Sequence, residues 1–212
     1  MKKGIFISFE GGDSCGKSTQ IKLLKDYLIK TQKINNFLFV REPGGTPLSE
    51  EIRKLLLDYQ VDPPLDMTEL LLFCAARVEN AEKNIKPALQ QGKIVVADRF
   101  YDSTIAYQGS ARKIMSPEKI LTLTKDIIGE LKPDLTFFFK LDPKIAFERK
   151  GATLDRIEKE GLDFQQKVQD GYDYIAKIEK ERFCIIDATL SVEEIFEQIK
   201  NELKKRFPKE FN

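Results

Sequence analysis

The chain has 212 residues, a length typical of one domain with a full hydrophobic core. Its 35 basic and 34 acidic residues leave a formal charge of +1, which argues against a dedicated nucleic-acid or membrane-surface protein, because such proteins usually show a large charge asymmetry. The sequence contains no histidine, so the commonest general base and the commonest transition-metal ligand are excluded, and any chemistry must rely on carboxylates, cations and backbone groups.

Short apolar runs alternate with helical patterns along the chain. In chain order, the helical patterns comprise one that carries Ile21, Leu24 and Leu28, a long one from Thr68 to Gln91, and one from Ile120 to Ile128. This alternation predicts an α/β fold with a parallel sheet covered by helices on both faces. The runs expected to form buried strands are Gly4–Phe9, Phe37–Val40, Lys93–Ala97, Leu135–Leu141 and Phe183–Ile186.

Local signals mark several helix ends. Ser116 followed by Pro117 is typical of an N-cap and a first helical position. The stretch SVEE from Ser191 to Glu194 fits a capping box before an apolar stripe. Pro87 interrupts the long helical pattern and removes a backbone donor, so we expect a kink or a helix end near it.

The cysteines and apolar runs indicate a reducing compartment. Cys15, Cys74 and Cys184 are widely spaced and form no C-x-x-C pair, so neither a disulfide framework nor a zinc site is indicated. No apolar run approaches the roughly 20 residues that span a bilayer, and the first residues lack the features of a signal peptide. We therefore expect a cytoplasmic protein, and the lack of repeats and linkers predicts a single domain over residues 1–212.

A glycine-rich loop follows the first predicted strand and precedes the first predicted helix. Gly11, four further residues, then Gly16, Lys17 and Ser18 satisfy the P-loop pattern G-x-x-x-x-G-K-[ST]. In such a loop the backbone N–H groups converge on phosphate oxygens beside the positive end of a helix dipole. We expect Lys17 to reach the β- and γ-phosphates and Ser18 to ligate Mg²⁺. The residues predicted to bind ATP here are Gly11, Gly12, Asp13, Ser14, Cys15, Gly16, Lys17, Ser18 and Thr19.

The loop alone leaves the phosphoryl acceptor open. The N-K-x-D tetrad that GTPases use for guanine is absent from the sequence. An ATPase that activates water remains possible, as does a binding module that hydrolyses ATP slowly to switch a partner surface.

Five motifs together, in this order and at these separations, resemble the thymidylate kinase family. They are FEGGDSCGKST, REPGGTPLSE from Arg41, LLFCAARVENAEKNIKPAL from Leu71, DRFYDSTIAYQG from Asp98, and LDRIEKEGLDF from Leu154. The resemblance covers the chain from Ile5 to about Thr189. It implies a P-loop kinase fold with a five-stranded parallel sheet, a short lid at about residues 149–160, transfer of a phosphoryl group from ATP to dTMP with Mg²⁺, and a homodimer. A kinase for another monophosphate, such as dUMP, UMP or CMP, is the nearest alternative.

The same resemblance assigns roles around the acceptor phosphate. It implies that Arg99 clamps this phosphate and that Arg41 is a second cation for it; Asp98, instead of pairing with Arg99, is expected to orient the waters of Mg²⁺. The planar fork of an arginine suits a bidentate phosphate contact. Asp13 resembles a family aspartate that approaches the sugar and phosphoryl end of the monophosphate, and we predict a catalytic role for it.

For the base and the sugar of dTMP, the resemblance implies a further group of residues. Phe73 and Arg77 lie four residues apart on one helical face, where the family stacks a phenylalanine on thymine and bonds its carbonyl edge with an arginine. Tyr107 is the expected gate against a 2′-hydroxyl. The remaining residues predicted to bind dTMP are Ser103, Thr104, Gln108 and Tyr172.

The lid is expected to complete the donor site. The glycine loop carries no arginine, so a lid cation should supply the charge that stabilises phosphoryl transfer. Arg149, Lys150 and Arg156 are the cations in this stretch. We predict that Arg149 is catalytic, together with Lys17, Arg99 and Asp13, and that both Arg149 and Arg156 bind ATP.

Overall fold

One five-stranded parallel sheet organises the chain, which a computed structural model describes over residues 4–58, 62–149 and 155–211. The strands run in the order β2-β3-β1-β4-β5. Each of the five predicted strands is confirmed, and so is the α/β fold. The bounds are β1 Ile5–Glu10, β2 Phe37–Arg41, β3 Ile94–Asp98, β4 Leu135–Lys140 and β5 Phe183–Asp187.

Helices follow the strands along the chain. In chain order they are α1 Lys17–Lys30, α2 Pro47–Leu57, α3 Asp66–Asn80, α4 Lys86–Gln90, α5 Tyr101–Thr104, α6 Pro117–Ile128, α7 Pro143–Arg149, α8 Leu162–Ile178, α9 Val192–Arg206 and α10 Pro208–Phe211. Two π-helical segments, Ala81–Ile85 and Ile105–Ala111, continue α3 and α5. Within the described ranges no helix is long and apolar enough to cross a membrane.

Hydrophobic clusters cover both faces of the sheet. Successive strand residues point to opposite faces, so Phe6 joins one cluster while Ile7 joins the other. The first cluster also contains residues of α3, α5, α6 and α8, and the second contains residues of α1, α9 and α10. Burial on both faces explains why these strands are nearly continuous apolar runs in the sequence.

The helix-end signals are confirmed in detail. The Ser116 side chain accepts a hydrogen bond from the Lys119 N–H, and Pro117 is the first residue of α6. Ser191 and Glu194 form the complete capping box of α9. Pro87 lies in the first turn of α4, directly after the first π-helical segment, so the long helical pattern does break near it.

The strand order places the ends of β1 and β3 side by side. Phe9 of β1 pairs with Asp98 of β3, and Arg41 of β2 pairs with the same Asp98. The glycine loop therefore leaves the sheet next to Arg99. In open α/β sheets, ligands bind at the carboxyl ends of the strands, at the point where the strand order reverses.

Candidate active site

The glycine loop is a tight backbone turn. Gly11 has φ 138° and Gly16 has φ 95°, conformations that residues with a Cβ rarely adopt. A Cβ on Gly11 would lie 2.6 Å from the Phe139 carbonyl oxygen. Lys17 is buried, and its Nζ donates to the carbonyls of Gly12 at 2.6 Å and Gly11 at 3.1 Å. Its ammonium group therefore lies inside the curve of the loop.

A cavity of about 480 Å³ lies over this loop. It is lined by six of the loop residues predicted to bind ATP, together with cations from other elements. Among its lining residues are Asp13, Ser14, Gly16, Lys17, Ser18 and Thr19 from the loop region, and Arg41, Arg53, Arg99 and Arg149 from elsewhere. We call it the loop cavity. Four guanidinium groups and one ammonium group around one cavity suit a polyanionic ligand.

Two oxygen groups meet at the rim of the loop cavity. Ser18 Oγ donates to Asp98 Oδ2 at 3.3 Å, and both residues line the cavity. A hydroxyl and a carboxylate are ligands that Mg²⁺ takes in proteins, usually together with waters and substrate phosphates. The residues predicted to hold the metal therefore lie together, and their donor atoms fit a hard cation.

Arg99 lies between the loop and a second cavity. Its Nη1 donates to the Gly11 carbonyl at 2.8 Å, and its Nη2 donates to Asp13 Oδ1 at 2.6 Å. Further contacts run from Nη1 to Ser103 and Tyr172 and from Nη2 to the Tyr107 hydroxyl. Its backbone has φ 69°, a left-handed conformation unusual for a residue with a side chain. The turn directs the guanidinium toward Asp13 and the loop.

The second cavity gathers most of the residues predicted to bind dTMP, and we call it the acceptor cavity. Its lining includes Asp13, Phe73, Arg77, Arg99, Ser103, Thr104, Tyr107 and Gln108. Tyr172 does not line the cavity itself, but its hydroxyl contacts Ser103, which does, at 2.8 Å. Tyr107 donates from its hydroxyl to Asp13 Oδ2 at 3.1 Å. Arg41 does not line this cavity: it is half exposed, lines the loop cavity, and pairs with Glu50 at 2.7 Å.

Arg77 is fixed at the floor of the acceptor cavity. Its Nε donates to Glu42 Oε2 at 2.8 Å, and its Nη2 donates to Thr104 Oγ1 at 2.8 Å. Nη1 is buried without a hydrogen-bond partner among the residues that the structure describes. A buried guanidinium N–H without a partner is costly, so this group is available for a ligand acceptor.

Glu10 and Arg53 are site residues that the sequence analysis missed. Glu10 accepts hydrogen bonds from the Phe100 N–H at 2.6 Å, Ser103 Oγ at 2.7 Å and the Tyr172 hydroxyl at 3.0 Å. Burial, reinforced by the nearby Asp102, raises the pKa of Glu10 to about 7. Arg53 lines both cavities. A carboxylate at the end of a buried strand was a signal for Glu10, whereas Arg53 is one of many charges on helices.

Arg149 and Arg156, the two predicted lid cations that the structure describes, lie apart. Arg149 lines the loop cavity and donates to the Ala188 carbonyl at 2.9 Å. Arg156 does not line the loop cavity; it donates to the Leu56 carbonyl at 3.0 Å and pairs with Glu69. Lys150 lies outside the described residues, as does part of the predicted lid. The roles of these cations toward ATP stay predictions.

Comparisons with known proteins agree with one another. A family model described as Thymidylate kinase matches residues 9–199. The thymidylate kinase of Symbiobacterium thermophilum is 42% identical over 209 residues, covering 98% of this chain and 96% of that protein. The thymidylate kinase of Thermosipho africanus is 46% identical over 203 residues, covering 95% and 98%. The crystal structure of the thymidylate kinase from Ehrlichia chaffeensis superposes with a TM-score of 0.78 at 36% identity, covering 95% of this chain and 99% of that one.

Proposed function

We propose how this chain, which belongs to the thymidylate kinase family and phosphorylates dTMP to dTDP, divides that reaction between its two cavities. The donor, which we take to be ATP, binds with its triphosphate in the loop cavity, and dTMP binds in the acceptor cavity. The observation that carries this proposal is the position of Arg99, which lines both cavities and donates to the Gly11 carbonyl of the loop. A cation at this junction lies where the transferred phosphoryl group must pass.

On the donor side, the loop N–H groups and the helix α1 dipole bind the phosphates. Lys17 and Arg149 add positive charge at the β- and γ-phosphates, and both line the loop cavity. Ser18 and Asp98 would hold Mg²⁺, with waters completing its shell, since their oxygen atoms lie 3.3 Å apart. When bound, the ion neutralises charge on the phosphate oxygens.

On the acceptor side, the base and the phosphate of dTMP bind at opposite ends of the cavity. Phe73 stacks on thymine, and the unpartnered Nη1 of Arg77 donates to a base carbonyl. Arg99 and Arg53 bind the monophosphate, with Arg41 contributing from the loop cavity. Tyr107, whose hydroxyl donates to Asp13, is the proposed gate against a ribose 2′-hydroxyl.

The chemistry then requires positioning and charge stabilisation rather than a strong general base. Phosphoryl transfer passes through a loose transition state with charge spread over the oxygens of the moving group. Guanidinium and ammonium groups already in place stabilise this charge without reorganisation. This accounts for how a chain without histidine catalyses the reaction.

We also propose a homodimer and a cytoplasmic location. Four apolar side chains form an exposed patch on the packed pair α2 and α3: Leu48, Leu55, Met67 and Leu71, which are 42–55% exposed. Such a patch is typical of an interaction surface. In the apolar run from Leu70 to Phe73 of α3, Leu70 is buried in the core and Leu71 faces outward. The three cysteines are free thiols, in keeping with a reducing compartment.

An assay of ATP turnover against dTMP, dUMP, UMP and CMP tests the function. We expect turnover to depend on the monophosphate and to be fastest with dTMP. Preference for a ribonucleotide would contradict the role of Tyr107, and ATP hydrolysis that ignores every monophosphate would favour a nucleotide-switched binding module.

The variant Phe73→Ala tests the location of dTMP. It should weaken dTMP binding by about 1–3 kcal/mol through loss of stacking, with the KM for ATP unchanged. Phe196→Ala, a similarly half-buried phenylalanine packed on Tyr27 on the other side of the sheet, is the matched control and should leave both KM values unchanged.

A further inference from the structure

Gln108 in the acceptor cavity is held by a buried carboxylate that the reaction itself does not use. Its Nε2 donates to Glu69 Oε1 at 2.8 Å, and both residues are buried. Gln108 belongs to the π-helical segment after α5, whereas Glu69 belongs to α3, the helix of Phe73 and Arg77. Two elements of the acceptor cavity are therefore joined at this contact.

Glu69 is held in its ionised form. Arg112 Nε donates to Oε1 at 2.7 Å, and Arg156 Nη2 donates to Oε2. Burial alone would raise the pKa of Glu69, but the hydrogen bonds from Gln108, Arg112 and Arg156 outweigh it and keep the pKa below its ordinary value. Glu69 is thus a carboxylate at neutral pH.

An ionised carboxylate fixes the direction of the neighbouring amide. It can only accept hydrogen bonds, so Gln108 must turn its NH₂ group toward Glu69. The flipped amide would place its oxygen against Oε1 at hydrogen-bond distance, with two acceptors facing each other and no proton between them. Gln108 therefore keeps its carbonyl Oε1 as the group it can offer to a ligand in the cavity.

Gln108 and Arg77 then offer opposite hydrogen-bonding groups to a base. Arg77 Nη1 is a buried donor without a partner in the described part of the chain. It belongs to the same rigid guanidinium group as Nη2, which donates to Thr104. Thr104 lies one helical turn before Gln108. Thymine and uracil present a carbonyl next to an N3–H, which complements a donor next to an acceptor. Cytosine presents an amino group and an N3 lone pair at the same positions, so it meets both groups the wrong way round.

We propose that Glu69 is a positioning residue for base selectivity, which locks the Gln108 amide so that the acceptor cavity takes a pyrimidine with an N3–H and rejects cytosine. This inference rests on the proposed binding of dTMP in the acceptor cavity. Thymine and uracil present the same carbonyl and N3–H to Gln108 and Arg77, so this contact does not distinguish dTMP from dUMP. Arg112 and Arg156 act on selectivity only through Glu69.

The test is a double-mutant cycle read as the ratio of kcat/KM for dTMP to kcat/KM for dCMP. In Glu69→Gln the carboxylate becomes an amide that can either donate or accept, so Gln108 is free to flip. We expect the ratio to fall at least about tenfold, while the ratio of dTMP to dUMP stays constant. Both substrates are measured on the same sample, so a partly unfolded variant does not change the ratio.

The second arm places Glu69→Gln in a Gln108→Ala background. If Glu69 acts through Gln108, its substitution has no further effect on the ratio there. Glu160→Gln is the matched control: Glu160 pairs with Arg112 at 2.7 Å without contacting Gln108, and its substitution should leave the ratio at the wild-type value. If Glu69→Gln does not fold, Glu69→Asp keeps the charge for Arg112 and Arg156 but withdraws it from the amide, and the ratio should fall in the same direction.

The outcomes separate this inference from the proposed function. An unchanged ratio in a folded Glu69 variant, or an equal fall with and without Gln108, would overturn the role of Glu69. If Gln108→Ala itself left the ratio and the dTMP KM unchanged, the base would bind elsewhere, and the assignment of the acceptor cavity would fail with it.

Discussion

Arg77 and Arg99 are each held by hydrogen bonds within the protein before any ligand binds. Arg77 is bonded by Glu42 and Thr104, and Arg99 is bonded by Asp13 and the Gly11 carbonyl. Immobilising a long flexible side chain on binding costs about 0.5–1.5 kcal/mol, and this cost falls away when the side chain is already ordered. The two cations are therefore prepared for charged or polar groups of a nucleotide.

Lys17→Ala should lower kcat at least about a hundredfold, because it removes a charge placed for the transition state. Steady-state kinetics with saturating dTMP and ATP measure the effect. Lys22→Ala, an exposed lysine on the same helix, is the control and should retain wild-type turnover. Retention of more than a tenth of the activity in Lys17→Ala would contradict its role.

Glu10 should make stability depend on pH. The unfolded carboxyl ionises near its ordinary value of 4.5, whereas the folded one keeps its proton to about pH 7. Between these values the folded state binds more protons, so the Glu10 contribution is fully present below pH 4.5 and is lost as pH rises toward 7. Relative to Glu10→Gln, the free energy of unfolding of the unmodified chain should fall by about 3 kcal/mol from pH 4.5 to pH 8.

Urea denaturation at several pH values measures this difference. Glu51→Gln, on the exposed surface of α2, is the matched control and should follow the unmodified chain at every pH. A constant difference between the chain and Glu10→Gln would show that Glu10 has the same pKa in both states.

For single residues, the sequence predicts function where a short motif with fixed spacing carries it. The glycine loop is such a case, since the eight consecutive positions from Gly11 to Ser18 carry the phosphate chemistry. Glu10 and Glu69 are not predictable in this way, because their roles depend on partners far along the chain, 93 residues away at Ser103 and 39 residues away at Gln108. A charged residue in an apolar strand or helix signals burial, but not the group that it meets.

Among the elements, the close packing of α8 on the π-helical segment after α5 positions the acceptor cavity. A Cβ on Gly171 would lie 2.8 Å from the Ala106 Cα and 2.7 Å from Ser110 Oγ. The next residue, Tyr172, contacts Glu10 and Arg99, while the π-helical segment carries Tyr107 and Gln108. The distance between these two helices thus sets the geometry of the site.

Gly171→Ala should therefore separate α8 from this segment. We expect a loss of about 1–3 kcal/mol in the free energy of unfolding and a higher KM for dTMP, with the KM for ATP nearly unchanged. Lys167→Ala, on the exposed surface of α8, should change neither quantity. Adding Ser110→Gly should recover part of the stability, and a lack of any recovery would locate the strain elsewhere.

Helices and strands are predicted well from the sequence where their apolar residues recur at a regular spacing. The five strands are continuous apolar runs, because a parallel sheet between helices is buried on both faces. The pattern from Thr68 to Gln91 reads as one interrupted helix, and the structure divides it into α3, the π-helical segment Ala81–Ile85 and α4. A single π turn shifts the apolar period by only a fraction of a turn, so the sequence does not disclose it.

For the whole molecule, the exposed patch on α2 and α3 leads to a prediction about assembly. Leu71→Asp should convert the proposed dimer to a monomer, because a charge cannot be buried there without a partner. Sedimentation or light scattering measures the mass. Ile178→Asp, equally exposed on α8 and outside the patch, should keep the dimer mass. A monomeric unmodified chain at micromolar concentration would contradict the proposal.

The left-handed backbone of Arg99 has a consequence for how this enzyme can be improved. With φ 69° and a Cβ, position 99 carries a conformational penalty on the order of 1–2 kcal/mol that glycine would not have. Glycine at position 99 would relieve this penalty, but it would also leave Asp13 and the Gly11 carbonyl without the hydrogen bonds that the guanidinium donates, so the two effects oppose each other. Position 99 therefore offers little gain in thermostability while it carries the activity, so engineering for robustness must hold it constant and seek gains elsewhere.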